Sequence, residues 1–180
     1  MSQRNGRAFE TYLDTLHKNY RRAGYCHIIH VPTPVKITGN YRGKVTGHLM
    51  APVHVDYTGV LSGGVAVALE AKYTQGDGPS FALGKISPGQ RDVLSSVHEM
   101  GGVSAVIIRR GLIGAKGRLS SSDYLVPTSF IDACEFKSFR WTAVEKYRIP
   151  ARRTWIDAID SHTEDDVFGW YERNGWPYID

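Results

Sequence analysis

Cysteine is nearly absent: the 180 residues hold two, Cys26 and Cys134, each in apolar surroundings. That argues against a disulfide framework or a cysteine metal site, and for two small buried hydrophobes in a reducing compartment. Long apolar runs are missing as well. No stretch approaches the ~20 apolar residues of a membrane span, and the first residues carry no h-region of a secretory signal. A cytoplasmic chain that stays off membranes is expected. No repeats or low-complexity segments interrupt it. With 42% hydrophobic and 22% charged residues, the composition is that of one soluble globular domain.

Each end is poor in charge of one sign. Residues 1–48 hold eight Lys/Arg against two acids, and residues 155–180 hold seven acids against one Arg. One reading is an amino-terminal half that faces a polyanion and a tail that faces elsewhere. Two solvated faces are the other, and charge counts alone favour it.

What is present concentrates in residues 53–74, VHVDYTGVLSGGVAVALEAKYT. The stretch reads as two strands joined by a turn at Ser62, Gly63 and Gly64. Along the second arm, Val65, Val67, Leu69 and Ala71 fall on one face and Ala66, Ala68, Glu70 and Lys72 on the other. Glu70 and Lys72 then point the same way, and the hairpin returns Asp56 beside them. Two carboxylates and a lysine at a sheet edge can bind a divalent metal and attack a phosphodiester. Mg²⁺ takes one or two carboxylates with water and phosphate, and it acidifies its water and neutralises charge on the phosphate. A neighbouring ammonium can hold the water or stabilise the developing charge. Taken alone, Glu-x-Lys is more simply a surface ion pair. The upstream Asp56 and the small alanines on that face favour a site.

The segments DYTGV, LEAKYT and GQRDVL, with VPTPVKI just upstream, resemble the RecU-type Holliday-junction resolvases. These are also called penicillin-binding-protein-related factor A and are similar to the PD-(D/E)xK nucleases at large. The resemblance runs from about residue 5 to about residue 134. It implies an α/β, restriction-endonuclease-like core: a mixed β-sheet flanked by helices, with a projecting stalk-like hairpin at about residues 35–52. It implies cleavage of four-way DNA junctions in recombination and repair, with Mg²⁺ as cofactor and Mn²⁺ able to substitute. Asp56 and Glu70 would hold the metal, with the Ala71 carbonyl as a further ligand, and Lys72 would position or activate water. Gln90 would stand near that lysine, and Glu10 of the Gly6-x-x-x-Glu10 pattern would reach the metal site. A homodimer would set two such sites on opposed strands. Two other readings remain. One is a phage or mobile-element nuclease acting on other branched or duplex DNA. The other is a non-catalytic branched-DNA-binding protein, against which the intact Asp56, Glu70 and Lys72 argue.

In chain order, residues 5–22 read as a helix. Phe9, Leu13, Leu16 and Tyr20 recur at helical spacing, Asn5 can cap and Gly24 stops it. A first-turn Glu10 also suits the helix dipole, so two readings of it stand side by side. Arg7, two residues after Asn5, is a candidate DNA contact. Residues 25–31 read as a strand whose His27 and His30 are given no role. Pro32 and Pro34 place the next strand, residues 35–38, at an edge. Lys36 and then Tyr41, Arg42, Lys44 and His48, set among glycines in residues 39–50, suit phosphate contacts and base stacking. A plain hairpin loop is the alternative.

Ser87, Pro88 and Gln90 form a capping box for the next helix. That explains Gln90 without chemistry, although a first-turn residue can also face the site. Residues 102–109 read as a second apolar strand, central in the sheet. Arg109 and Arg110 leave it for residues 111–117, where a DNA-backbone contact and a solvated turn are both open. Residues 123–126 read as a short edge strand, and Pro127 starts a helix to about Cys134. Residues 1–135 are thus expected to form the core, and residues 136–180 a C-terminal helical extension packed on it. In that extension Phe139, Trp141, Tyr147 and Trp155 interleave with Lys137, Arg140, Lys146, Arg148, Arg152 and Arg153. The segment either lines a DNA channel or packs on the body, with the body favoured. Trp170, Tyr171, Trp176 and Tyr178 then stand among the acids of the last stretch.

Overall fold

Phe9, Leu13 and Tyr20 share one stripe of α1 (Ser2–Arg22), and all three are buried. The structure, a computed structural model, describes residues 2–49, 54–113, 119–151 and 153–156. The helix starts earlier than the sequence places it, so Asn5 lies inside it and is not the cap. Its amide donates instead to Tyr73 Oη (3.2 Å) and Gln75 Oε1 (3.3 Å), tying the helix to the sheet. After α1 come β1 (Cys26–His30) and a separate two-stranded hairpin, β2 (Val35–Tyr41) and β3 (Lys44–Leu49). β4 (Tyr57–Leu61) and β5 (Ala66–Gln75) form the expected second hairpin, with Tyr57 opposite Leu69 and Val60 opposite Ala66. β1 pairs with β4 so closely that a Cβ on Gly59 would overlap the His27 carbonyl, which is why the strand has glycine there.

β6 (Ser80–Ala82) and a 3-10 turn at Leu83–Lys85 lead into α2 (Pro88–Glu99). This helix crosses over to β7 (Val103–Ile113), which runs parallel to β5 with Glu70 beside Val106 and Lys72 beside Ile108. β8 (Leu119–Pro127) is the far edge, longer than residues 123–126 because its ladder with β7 extends to Leu119 opposite Ile113. α3 (Thr128–Asp132), β9 (Ser138–Arg140), paired with β6, and a 3-10 helix at Trp141–Tyr147 follow. The main sheet is therefore mixed, in the order β1-β4-β5-β7-β8.

Strand alternation divides burial between two faces. Ala105 and Ile107 pack with Phe9, Leu13 and Leu69 under α1. Val106 and Ile108 pack with Ile86 and Leu94 of the α2 side. β7 is buried on both faces, the mark of an inner strand. Full burial of each such side chain stabilises by about 2 kcal/mol. Phe139, Trp141, Val144 and Tyr147 complete the second core, and Trp155 and Ile156 join the first. Lys137, Arg140, Lys146, Arg148 and Arg153 stay exposed around them. This segment enters as a strand and a 3-10 helix, where a helical extension was expected. Arg152 and residues 157–180, with the acidic aromatic stretch, lie outside the described residues. Cys26 is buried, Cys134 is half-buried and both are free thiols. No helix among the described residues is long and apolar enough to cross a membrane.

Candidate active site

β5 outruns β4. Their ladder begins at Tyr57 and Leu69, so Glu70, Ala71 and Lys72 continue past the end of β4. Asp56, the residue just before β4, folds over that gap. The Ala71 N–H donates to Asp56 Oδ2 at 2.9 Å, and the Asp56 N–H donates to Glu70 Oε2 at 3.2 Å. The other oxygen of Glu70, Oε1, accepts from Lys72 Nζ at 2.5 Å and from Gln90 Nε2 at 2.7 Å. Lys72 Nζ also lies 3.5 Å from Gln90 Oε1. Asp56, Glu70, Lys72 and Gln90 are thus one hydrogen-bonded network.

Gln90 both caps its helix and faces the network. Ser87 Oγ accepts from the Gln90 N–H (3.2 Å), while Gln90 Oε1 accepts from the Ser87 N–H (2.9 Å), which completes the capping box. The remaining amide protons on Nε2 face Glu70. A residue at the third position of α2 can cap its helix and still reach the strand the helix packs on.

Glu70 is 1% exposed. Burial, and after it the nearby Asp56, push its carboxyl up to about 8, while Lys72 opposes the shift. A carboxyl raised this far is short of positive charge, and one ammonium does not make up the deficit. The donor set fits a hard divalent cation: two carboxylates, with the Ala71 carbonyl leaving the strand on the same side as the N–H that meets Asp56. Among the described residues no three His, Cys, Asp or Glu side chains gather as a metal cage. Two carboxylates are the usual protein share for Mg²⁺, which keeps water and takes substrate phosphate.

Glu10 lies on α1, across the sheet from α2. Its backbone carbonyl accepts from Tyr57 Oη at 3.1 Å, and the same hydroxyl lies 3.1 Å from Asp14 Oδ1. The hydrogen bonds of Asp56, Glu70 and Lys72 do not include its carboxylate. Tyr57 is fully buried, with the rings of His17 and His30 each 4.8 Å from its own. His30 Nδ1 is 3.3 Å from Asp14, and Trp155 Nε1 donates to His17 Nε2 at 3.1 Å. Since indole only donates, His17 carries its proton on Nδ1, which is buried without a hydrogen-bond partner. Burial lowers the His17 pKa to about 4, with His30 adding to the effect and Asp14 opposing it. The sequence reading gave this cluster no role. Two signals point to it: alternation sends the residue after Asp56 to the opposite face, and Asp14 and His17 share a helix face at three-residue spacing.

The candidate DNA contacts divide. Lys36, Tyr41, Arg42 and Lys44 are exposed along the β2–β3 hairpin, and Arg7 is exposed on α1. The hairpin turns through Arg42 (φ 49°) and Gly43 (φ 76°), both left-handed, as a two-residue turn between twisted strands requires. Arg109 is held by both oxygens of Asp123 (2.7 and 2.6 Å), with its guanidinium 4.4 Å from the ring centroids of Phe9 and of Tyr12. Arg110 donates to the Gly78 carbonyl at 3.1 Å and lies 4.7 Å over Trp141. Both of these arginines are engaged within the fold, neither as free cations nor as part of a solvated turn.

Residues 4–117 match the family of recombination protein U, RecU, and the chain belongs to that family. Its members are Holliday-junction resolvase nucleases. In structure the chain is similar to Hjc, a Holliday junction resolvase from the archaeal hyperthermophile Archaeoglobus fulgidus. The two are 14% identical over 75% of this chain and 90% of that one, with a TM-score of 0.40. Among curated protein sequences none matches.

Proposed function

We propose that this protein is a structure-specific endonuclease that resolves four-way DNA junctions in the cytoplasm with a divalent metal held at Asp56 and Glu70. One observation carries the reading: in a RecU-family chain, the open end of β5 holds a buried, charge-deficient Glu70 bonded to Lys72 and Gln90 and beside Asp56. Mg²⁺, or Mn²⁺ in its place, supplies an acidified water and positive charge against the phosphate when bound. The Asp56 and Glu70 carboxylates and the Ala71 carbonyl hold it. Lys72 orients the water and stabilises charge on the phosphate. Gln90 fixes the Glu70 carboxylate, and Glu10, whose backbone Tyr57 anchors on the α1 side of the sheet, makes no hydrogen bond to that network among the described residues.

The hairpin carries Lys36, Tyr41, Arg42 and Lys44 into the junction, with Arg7 meeting phosphate on the body. A second copy of the chain completes the enzyme. Among the described residues the outer edge of β1 has no partner strand in the sheet, and Ile29 (51% exposed) and Val60 (45%) lie open on one face beside it. An open strand edge with apolar neighbours is a surface that natural proteins cover.

The test is cleavage of synthetic four-way junction, flap and linear duplex, with and without Mg²⁺, by the wild type and by Asp56→Asn. Metal-dependent paired cuts at the junction, absent in the variant, are expected. Equal cutting of flaps or duplex would replace junction resolution with a broader nuclease activity. Binding without any cutting would leave a non-catalytic DNA-binding protein.

A further inference from the structure

The active site is lopsided. Its carboxylates sit where β5 leaves β4, and Lys72 follows along the same strand. Beyond Lys72, the next residue on that face is Thr74, about 6.6 Å further along. Thr74 Oγ1 accepts a hydrogen bond from Lys85 Nζ at 2.9 Å. Lys85 belongs to the 3-10 turn that leads into α2, and its ammonium lies 5.4 Å from the Phe81 ring centroid. Leu83 and Ile86 on either side are buried, so the turn is fixed in the core while the Lys85 side chain stays exposed. Thr74 uses one of the three ammonium donors and leaves two. Just after this turn, α2 begins at its Ser87 cap and sends Gln90 to Glu70, so its positive pole adds to the same side.

We infer that Lys85, oriented by Thr74, binds the DNA phosphate adjacent to the scissile one. This rests on the nuclease reading of Asp56, Glu70 and Lys72. Lys72 serves the phosphate under attack, and Lys85, bonded to Thr74 one strand repeat beyond it, keeps two donors free and has no acid as hydrogen-bond partner among the described residues. An ammonium suits this task, because it meets phosphate as a compact charge. The Thr74 hydroxyl accepts from Lys85 and retains its own proton for a phosphate oxygen. Such a contact follows the strand near the cut, so it acts on every substrate the site can hold, unlike the hairpin at a junction centre.

The experiment pairs Lys85 variants with DNA in which one phosphate at a time around the junction is replaced by an uncharged methylphosphonate. Binding is measured across a salt series without Mg²⁺, and cleavage with it. Lys85→Met keeps the stem against Phe81 and removes the charge. It should raise the Kd roughly tenfold, the size of one charge-assisted hydrogen bond, and reduce the salt slope by about 0.9. Lys85→Arg should restore the slope. In the wild type, neutralising one particular phosphate beside the cut should weaken binding by a similar factor, and in Lys85→Met the same neutralisation should add nothing. Additive losses at every position, or an unchanged salt slope, would overturn the inference. If the wild type cuts no DNA yet shows the position-specific coupling, the resolvase reading falls and with it the placement beside a scissile phosphate, leaving Lys85 a phosphate contact only. If cleavage proceeds and no position couples, the subsite alone falls.

Discussion

The candidate active site and the β2–β3 hairpin differ in almost every physical respect. Glu70 has both oxygens bonded, is almost fully buried and is gripped from β5, α2 and the residue before β4. Among the described residues the hairpin strands pair only with each other, and Lys36, Tyr41, Arg42 and Lys44 on them are exposed. One region fixes a few atoms in place, as chemistry on a phosphate demands. The other presents charge on a long arm, as contact with a large and deformable partner demands. The two can therefore fail separately: a defect in the site should stop cutting and spare binding, and a defect in the hairpin should alter which DNA is bound.

The strongest way to break that separation is at the carboxylates. Glu70→Gln and Asp56→Asn keep shape and remove the charge that the proposed metal would need, so single-turnover cleavage should drop by at least ~10³-fold. Junction affinity, measured by titration without metal, should stay within a few-fold of the wild type. Full cleavage by either variant would remove that residue from the mechanism.

Gln90→Glu sharpens the same side. Glutamate caps α2 as well as glutamine does, so the helix content by circular dichroism should hold. The amide that donates to Glu70 is lost, however, and a third acid faces the pair of carboxylates. Cleavage should decrease by roughly 10²-fold. A variant that folds and cuts normally would reduce Gln90 to a cap.

Acid should destabilise the body that carries the site, and His17 is one reason. Its native pKa, about 4, lies below its ordinary 6.5. As pH falls below 6.5 the unfolded chain takes a proton that the native chain refuses until about 4. Stability is lost across that window, by about 3 kcal/mol in all. Urea unfolding from pH 7 to 4 should show the loss. His17→Gln, which keeps an acceptor for Trp155, should flatten that part of the curve. An equally steep curve in the variant would mean that other groups carry the acid sensitivity.

Much of the candidate site's geometry was legible in the sequence because its determinants are local. Period-two alternation set Glu70 and Lys72 on one face, the Ser62–Gly64 turn brought Asp56 back, and the capping box fixed where Gln90 begins its helix. What stayed hidden depends on contacts between distant elements. Nothing near Arg109 in sequence announces Asp123, Phe9 and Tyr12 around it, so it read as a DNA contact or a solvated arginine. Tyr57 and His17 meet only because α1 lies across β4, with Trp155 arriving from the other end of the chain. Asn5 looked like a cap because capping is a local rule, and its amide is instead taken by side chains of β5.

The hairpin yields the smallest expected effect and the one most specific to substrate. Its turn places Arg42 beside Tyr41, with the guanidinium 5.4 Å from that ring, and Lys44 opens the returning strand directly opposite Tyr41. No carboxylate of the site reaches these groups, so removing their charge should leave the catalytic network and the fold alone. Replacing Arg42 and Lys44 together with alanine should weaken four-way-junction binding about tenfold or more and reduce the salt slope by roughly two units, one for each lost phosphate contact. Linear-duplex binding should change only a few-fold, because Arg7 and the rest of the basic surface remain. A salt-resolved titration of both proteins on both DNAs, with the melting temperature as a folding control, measures all of this. Equal losses on junction and duplex would make the hairpin a general phosphate clamp, and the separation of site from substrate choice would fail. An unchanged affinity for both would leave the hairpin without a part in binding.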